Sequence, residues 1–433
     1  MNKKSLFKKS FLILLFALIG LSLPFVRSGQ TKVQPYYSGD GVNYNNNLVV
    51  SSTNTGYLEV FKLEGQDLAR VLKVKIYNAT YNTYEDYSDA KLSIENGKLY
   101  IYAVSQYTVF KYDFSDLERL TLVNKQKNSY WNWYFRVDRY GDNIGVVGKN
   151  GVDILDANLQ VINSYAFSPS EKYGLRSNTS QKFLFGISNG KIQIYDRDSR
   201  SIAQEIALNF SKSESNHKIF FDSADSNLYA IDDYYAKKFS SSGQLLASFR
   251  HLDAPGYDAE SSNGNPYIYF SNGFGVIKLD KEEFKLKDFV YTTSIDASQG
   301  WAMGLKMVSM DNGDNLIVFN ASNITVLDSN LNKIGSVAAV EEADTHPLET
   351  LSLNYDHNSG TPGEAIKLNG SGYWPNEDLQ ISFGGQATAT VKTDNQGRFE
   401  TRLTIPDLKP KRLDIKVDGN GSGLSYSISF EIK

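Results

Sequence analysis

The sequence contains no cysteine. That excludes disulfides, thiolate metal sites, a cysteine nucleophile and a lipid-modified cysteine anchor. At 433 residues the chain can instead hold itself together by burying a large core. Histidine is scarce too, with four residues. His346 and His357 fall late in the chain, so His217 and His251 alone remain for its body, which argues against a paired-histidine zinc site. There are only 10 prolines, which leaves no long proline-rich linker. Neither a P-loop nor a dinucleotide-binding glycine fingerprint is present. The formal net charge is −4, and no cluster of Lys and Arg follows Lys9. Nucleic-acid binders draw affinity from such clusters, so nucleic acid is not an expected partner. No metal, cofactor or catalytic residue is expected either.

What abounds is aromatic. Phe, Trp and Tyr make up 13% of the chain, with 28 Tyr and 24 Phe. Strands favour aromatic and β-branched side chains, so an all-β fold is expected. At the N-terminus, Lys3, Lys4, Lys8 and Lys9 precede an apolar run from Phe11 to Leu23 that is too short to span a bilayer comfortably. Pro24 breaks the run, and Val26 and Ser28 suit a cleavage site that would leave Gly29 first. Residues 1–28 read as a signal peptide for export to the cell envelope or beyond. The alternative is an uncleaved anchor, because the apolar character persists to Val26. Membrane contact is expected only through this segment.

From Thr31 to Val340 one pattern recurs: strand, polar turn, strand, a third strand often ending in Asp, and a returning fourth. Second strands begin at Leu48, Leu99, Ile144, Phe183, Leu228, Tyr267 and Leu316, on average about 45 residues apart, the period of four-stranded propeller blades. Turns such as Asn96-Gly97 supply the positive φ that tight hairpins need. Asp113, Asp156, Asp196, Asp280 and Asp328 end third strands. A metal ring would use such residues, but a recurring Asx turn accounts for them more simply. These copies, for example Asn96 to Tyr102 followed by Val109 to Asp113, resemble blades of the PQQ-like, YVTN-like and WD-like bacterial propeller families. The resemblance implies an about seven-bladed β-propeller over residues 31–340. It implies little about activity, and the tryptophan docking motif of the quinoprotein repeats is missing.

Residues 341–348 are polar and read as a linker. Beyond them Ile366/Leu368, Leu379/Ile381/Phe383 and Ile428/Phe430/Ile432 alternate with polar residues, as half-buried sandwich strands do. Pro362-Gly363, Gly370 to Pro375 and Thr393 to Phe399 make residues 349–433 similar to the IPT/TIG-like, immunoglobulin-like modules of bacterial surface proteins. That resemblance implies an immunoglobulin-like β-sandwich serving as spacer or adhesive unit.

Propeller ligands usually meet the loops that lead from one blade's fourth strand into the next blade's first. Just before the first strands stand Tyr87, Trp131, Tyr173, His217, Tyr257 and Trp301, at intervals of about 40 to 44 residues. Together with Tyr84 and Trp133 they form the candidate ligand face. Flat amphipathic rings offer stacking area and hydrogen-bonding tips, which suits glycan or protein partners at the cell surface. The structural alternative is that these aromatics fill wedges between blades. The leading expectation is an exported binding or adhesion protein. Against it stand a propeller lyase or hydrolase, using Tyr, His217 or His251 and a carboxylate such as Asp258, and a quinone-dependent dehydrogenase.

Overall fold

Tight turns set the strand order. Asn45 and Asn46 (φ 50° and 61°) join the strands Gly39–Tyr44 and Asn47–Asn54. Asn96 and Gly97 (φ 52° and 76°) join Tyr87–Glu95 and Lys98–Ser105. Two successive left-handed residues give the turn whose twist matches that of its flanking strands. The computed structural model describes residues 36, 39–54, 56–78, 83–117, 119–127, 134–140, 143–166, 176–177, 183–188, 190–209, 219–251, 254–262, 264–291, 302–320, 323–338, 352–374, 376–394, 396–422 and 424–433. Residues 1–28 and 341–348, read above as a signal peptide and a linker, lie outside them. Among the described residues there are only strands and turns, with no helix long and apolar enough to cross a membrane.

Up to Ala338 the strands form antiparallel meanders of four. Five are separate sheets. The first (Gly39 to Val74) and the last (Ala302 to Ala338) join through one parallel bridge, Ser336 opposite Asp67. Second strands such as Leu99–Ser105 are buried on both faces, whereas fourth strands such as Ser201–Ala207 are largely exposed. This gradient arises because each sheet packs its inner strands against both neighbours. Val60 clusters with Ile101, Tyr102 with Val146, Phe185 with Leu228, Ile231 with Ile268, and Tyr269 with Val318. Phe319 clusters with Val50, so the last sheet packs back onto the first.

The third-to-fourth turns confirm the Asx geometry. Asp156 Oδ1 accepts the Asn158 and Gln160 N–H groups, and Asp328 Oδ1 accepts those of Asn330 and Asn332. The turns that begin at Asp156, Asp280 and Asp328 each contain a left-handed residue that the sequence did not announce: Leu159 (φ 63°), Phe284 (φ 52°) and Leu331 (φ 63°). A bulky side chain adopts that backbone only at a cost. Burial under a tyrosine of the preceding sheet offsets it: Leu159 clusters with Tyr102, Phe284 stacks on Tyr229 at 6.3 Å, and Leu331 clusters with Tyr269. A third-strand lysine of the preceding sheet completes the joint. Lys111, Lys238 and Lys278 donate to the carbonyls of Ala157, Lys281 and Ser329 at 3.0, 2.8 and 2.7 Å. Each ammonium lies over a tyrosine, at 4.3 Å from Tyr100, 5.8 Å from Tyr229 and 4.3 Å from Tyr267. Leu331→Ala is expected to lower stability by about 2–4 kcal/mol, read as a lower urea midpoint; an unchanged midpoint would show that the joint carries no weight.

Residues 352–432 form a three-stranded sheet and a five-stranded sheet. Ile366, Leu368, Leu379, Ile381, Phe383, Phe430 and Ile432 meet in one core between them, as their alternation predicts.

This region is not hung clear of the sheets before it. Trp374 is buried among first- and second-sheet residues, its ring centroid 5.7 Å from that of Tyr112. Its Nε1–H donates to the Lys75 carbonyl at 2.9 Å. Arg119 pairs with Asp378 at 2.7 Å, and the Leu122 N–H donates to the Asn420 carbonyl at 3.0 Å. At Gly421 a Cβ would stand 2.4 Å from the Leu120 carbonyl oxygen, so only glycine permits that approach.

Candidate functional site

In four of the sheets the first strand begins with a β-bulge, and the bulge decides where its aromatics go. The register shifts between Tyr87 and Asp89, Tyr134 and Arg136, Gly256 and Asp258, and Ala302 and Gly304. The equivalent entry residues are therefore Tyr87, Tyr134, Gly256 and Ala302. Tyr257 stands one residue beyond the entry position that Tyr87 holds, so these two do not align.

Tyr87 is buried between the first and second sheets. Its hydroxyl lies 2.7 Å from the Tyr112 hydroxyl, and its ring packs edge-on against Phe110. Tyr257 is buried as well, at 3% exposure. These two side chains are packing residues and not an open platform, because an extra residue at the strand entry turns side chains into the space between sheets. Trp131, Trp133, Tyr173, His217 and Trp301 lie outside the described residues.

Tyr84 sits on a small hairpin between the fourth strand of the first sheet and the first strand of the second. Ile76–Asn78 pairs with Thr83–Glu85, and the register sets Tyr77 opposite Tyr84. Sequence reasoning passed over Tyr77; its signal was the run of tyrosines Tyr77, Tyr81 and Tyr84 along a short polar stretch. The base of the hairpin is built tightly. Lys75 Nζ lies 2.9 Å from Asp86 Oδ1 and 5.1 Å from the Tyr57 ring centroid. The Tyr87 N–H donates to the Gly56 carbonyl at 2.9 Å. Gly56 has φ +80°, and a Cβ there would stand 2.1 Å from Asp86 Oδ1, so glycine is required on both counts.

Charge lines the first strands. Asp40, Asp89 and Asp258 are buried, and each accepts a backbone N–H from the next sheet: Leu92 at 2.9 Å, Val137 at 3.2 Å and Leu305 at 2.7 Å. Asp40 also pairs with Lys306 of the last sheet at 3.3 Å, and Asp89 lies 3.6 Å from Arg136. Burial pushes the Asp40 carboxyl up, but Lys306, Lys91 and the Leu92 N–H outweigh it and hold the group below its ordinary value.

Two of the groups named for acid–base chemistry, His251 and Asp258, are engaged in structural hydrogen bonds. His251 Nε2 lies 2.8 Å from the Asp232 carbonyl oxygen, and its Nδ1 lies 3.2 Å from Asn272 Nδ2. Asp258 uses one oxygen on the Ala259 N–H and the other on Leu305. Gly186, Ser188 and Gly190 have the spacing of a nucleophile elbow. Ser188 instead pairs with Lys191 across a strand-to-strand hairpin, without the strand-to-helix turn an elbow requires. Among the described residues no three His, Asp or Glu side chains are grouped to hold a metal ion.

A cleft of 470 Å³ opens on the rim between the fifth and sixth sheets. Phe249, Ile277, Leu286, Phe289 and Tyr291 line it, with Arg250 and His251 at one side.

No family model matches the chain. No curated protein matches it. Among solved structures 893 chains match, so the likeness marks a widely shared architecture and not one family. One of them is the crystal structure of Chaetomium thermophilum Raptor, at TM-score 0.53 and 12% identity. That match covers 70% of this chain and 29% of the other, so the chain spans less than a third of that protein's length. At such identity the likeness carries the fold alone: this chain is all-β, with a propeller-like fold.

Proposed function

We propose that the chain is an exported glycan-binding protein: a seven-bladed propeller whose ligand face is made by the fourth-to-first-strand loops, with an immunoglobulin-like sandwich docked on its rim. The supporting observation is the hairpin Ile76–Asn78/Thr83–Glu85, which sets Tyr77 opposite Tyr84 on a braced base within one of those loops. A hairpin that carries two tyrosines at paired positions on a braced base suits carbohydrate, because sugar faces stack on aromatic rings. Trp131, Trp133 and Trp301, and with them Tyr173 and His217, would extend this face from the loops that follow. Tyr87 and Tyr257 hold the scaffold beneath it. An acid–base enzyme is less well supported, since His251 and Asp258 are already committed to backbone partners.

The test uses insoluble peptidoglycan sacculi and chitin as probes. The wild-type chain is expected to be retained on at least one of them. Tyr84→Ala with Trp131→Ala should weaken that retention about tenfold or more, at roughly one stacking contact of about 1–2 kcal/mol each, with an unchanged melting temperature. Retention on neither polymer, or equal retention of the double variant, would overturn the reading.

A further inference from the structure

We infer that Trp374, although it lies in the C-terminal sandwich, is a positioning residue for the Tyr77–Tyr84 hairpin; this rests on the proposed ligand face. The hairpin starts at Ile76, immediately after Lys75, and ends at Glu85, immediately before Asp86. Both flanking residues are held. The Lys75 ammonium and the Asp86 carboxylate close the base from the side-chain direction at 2.9 Å. The Lys75 carbonyl accepts the Trp374 Nε1–H at 2.9 Å. The hairpin has three residue pairs in its ladder, and an isolated two-stranded ribbon of that length is marginal in water. Its orientation must therefore come from its base.

The sandwich is well built to supply a rigid donor. Trp374 is 3% exposed, and its ring is fixed against Tyr112. Its own N–H donates to Glu377 Oε1 at 2.6 Å, and its carbonyl accepts the Thr393 hydroxyl at 2.6 Å. Arg119–Asp378 and Leu122–Asn420 hold the sandwich against the second sheet beside it. The indole N–H thus comes from a side chain held on four sides, and the backbone it meets is the last residue before the aromatic hairpin. The sandwich is a buttress for the ligand face, more than a spacer.

Trp374→Phe tests this while keeping a ring against Tyr112. Amide exchange at 76–78 and 83–85 is expected to quicken at least about tenfold, with exchange in the strands of the third to seventh sheets unchanged. Retention on sacculi or chitin should fall in parallel. A second variant separates positioning from general stability: Lys75→Cys with Asp86→Cys, placed in the Trp374→Phe background of a chain that has no other cysteine. The two positions directly flank the Ile76–Glu85 pair at the open end of the hairpin, where their side chains already meet. Closing the base covalently should restore slow exchange and retention together, whereas a merely structural loss would not be rescued. Unchanged hairpin exchange in Trp374→Phe overturns the inference. If the wild type binds neither polymer, the ligand reading fails by itself, and the exchange and rescue measurements still decide whether Trp374 positions the hairpin.

Discussion

Asp40→Ala is expected to destabilise the protein by about 3–5 kcal/mol, the cost of leaving buried charges without their partner. The residue stands where the circuit of sheets closes. From the first sheet it accepts the Leu92 N–H of the second and pairs with Lys306 of the last. Lys91 stands next to it and donates to the Gly39 carbonyl at 3.3 Å. Removing the carboxylate leaves the buried Leu92 N–H unsatisfied and takes away the anion that Lys306 pairs with. The glycines on either side show how close the last sheet comes. A Cβ on Gly39 would stand 2.3 Å from the Phe319 ring, and one on Gly41 would stand 2.2 Å from Ile317 Cδ1. Urea denaturation should show the loss as a lower midpoint, with Asp40→Asn falling between because its amide oxygen still accepts from Leu92. The same group makes the fold acid-sensitive. Its folded value is lowered, so its contribution is complete above the ordinary aspartate value of about 3.9 and disappears as pH falls through the lowered folded value. The wild type should therefore lose stability on acidification below about pH 4 more steeply than Asp40→Asn. Equal midpoints for wild type and Asp40→Ala would mean that apolar packing of Phe319 against the first sheet suffices for closure.

Much of the scaffold was legible because it is written in local chemistry. Asn96-Gly97 announces a hairpin wherever it stands, and Asp156 or Asp328 announces an Asx turn. Alternation in Leu379, Ile381 and Phe383 announces a half-buried strand. What escaped was chemistry between sheets. Leu159 and Leu331 look like ordinary apolar residues; their left-handed backbone is tolerable only because a tyrosine from the previous sheet covers them. Lys278 looks like a surface residue, yet it reaches across to the Ser329 carbonyl. The candidate site suffered most from this blindness. Counting residues between aromatics assumes a constant register, and a bulge at four of the first-strand entries breaks that assumption. Tyr87 and Tyr257 both stand near a first-strand entry, yet Tyr87 is the entry residue of its strand whereas Gly256 takes that place before Tyr257. Tyr77 was invisible for the opposite reason: only the pairing of 76–78 with 83–85 sets it opposite Tyr84.

Glu377→Ala is expected to be as damaging as the loss of Asp40, again by about 3–5 kcal/mol, because it strands several buried donors at once. The side chain is 3% exposed. It accepts the Trp374 N–H at 2.6 Å, the Gly421 and Ser422 N–H groups at 3.1 and 2.9 Å, and the Ser422 hydroxyl at 2.9 Å. These donors belong to the two segments that touch the rim, around Trp374 and around Asn420–Gly421, so one carboxyl shapes the whole docking corner. Burial raises its folded value above the ordinary glutamate range, against the opposing pull of the Ser422, Trp374 and Gly421 N–H groups. The sign of the pH dependence is therefore opposite to that of Asp40. The contribution is complete below the unfolded value of about 4.3 and declines as pH rises through the raised folded value. Exchange of the Leu122 and Ser422 amides reports this corner directly. In the wild type it should quicken with pH beyond the intrinsic base-catalysed trend, and in Glu377→Gln the excess should vanish. An excess that persists in Glu377→Gln would assign the pH dependence to another group, and a full-height urea midpoint in Glu377→Ala would show that packing of Trp374 on Tyr112 holds the corner without it.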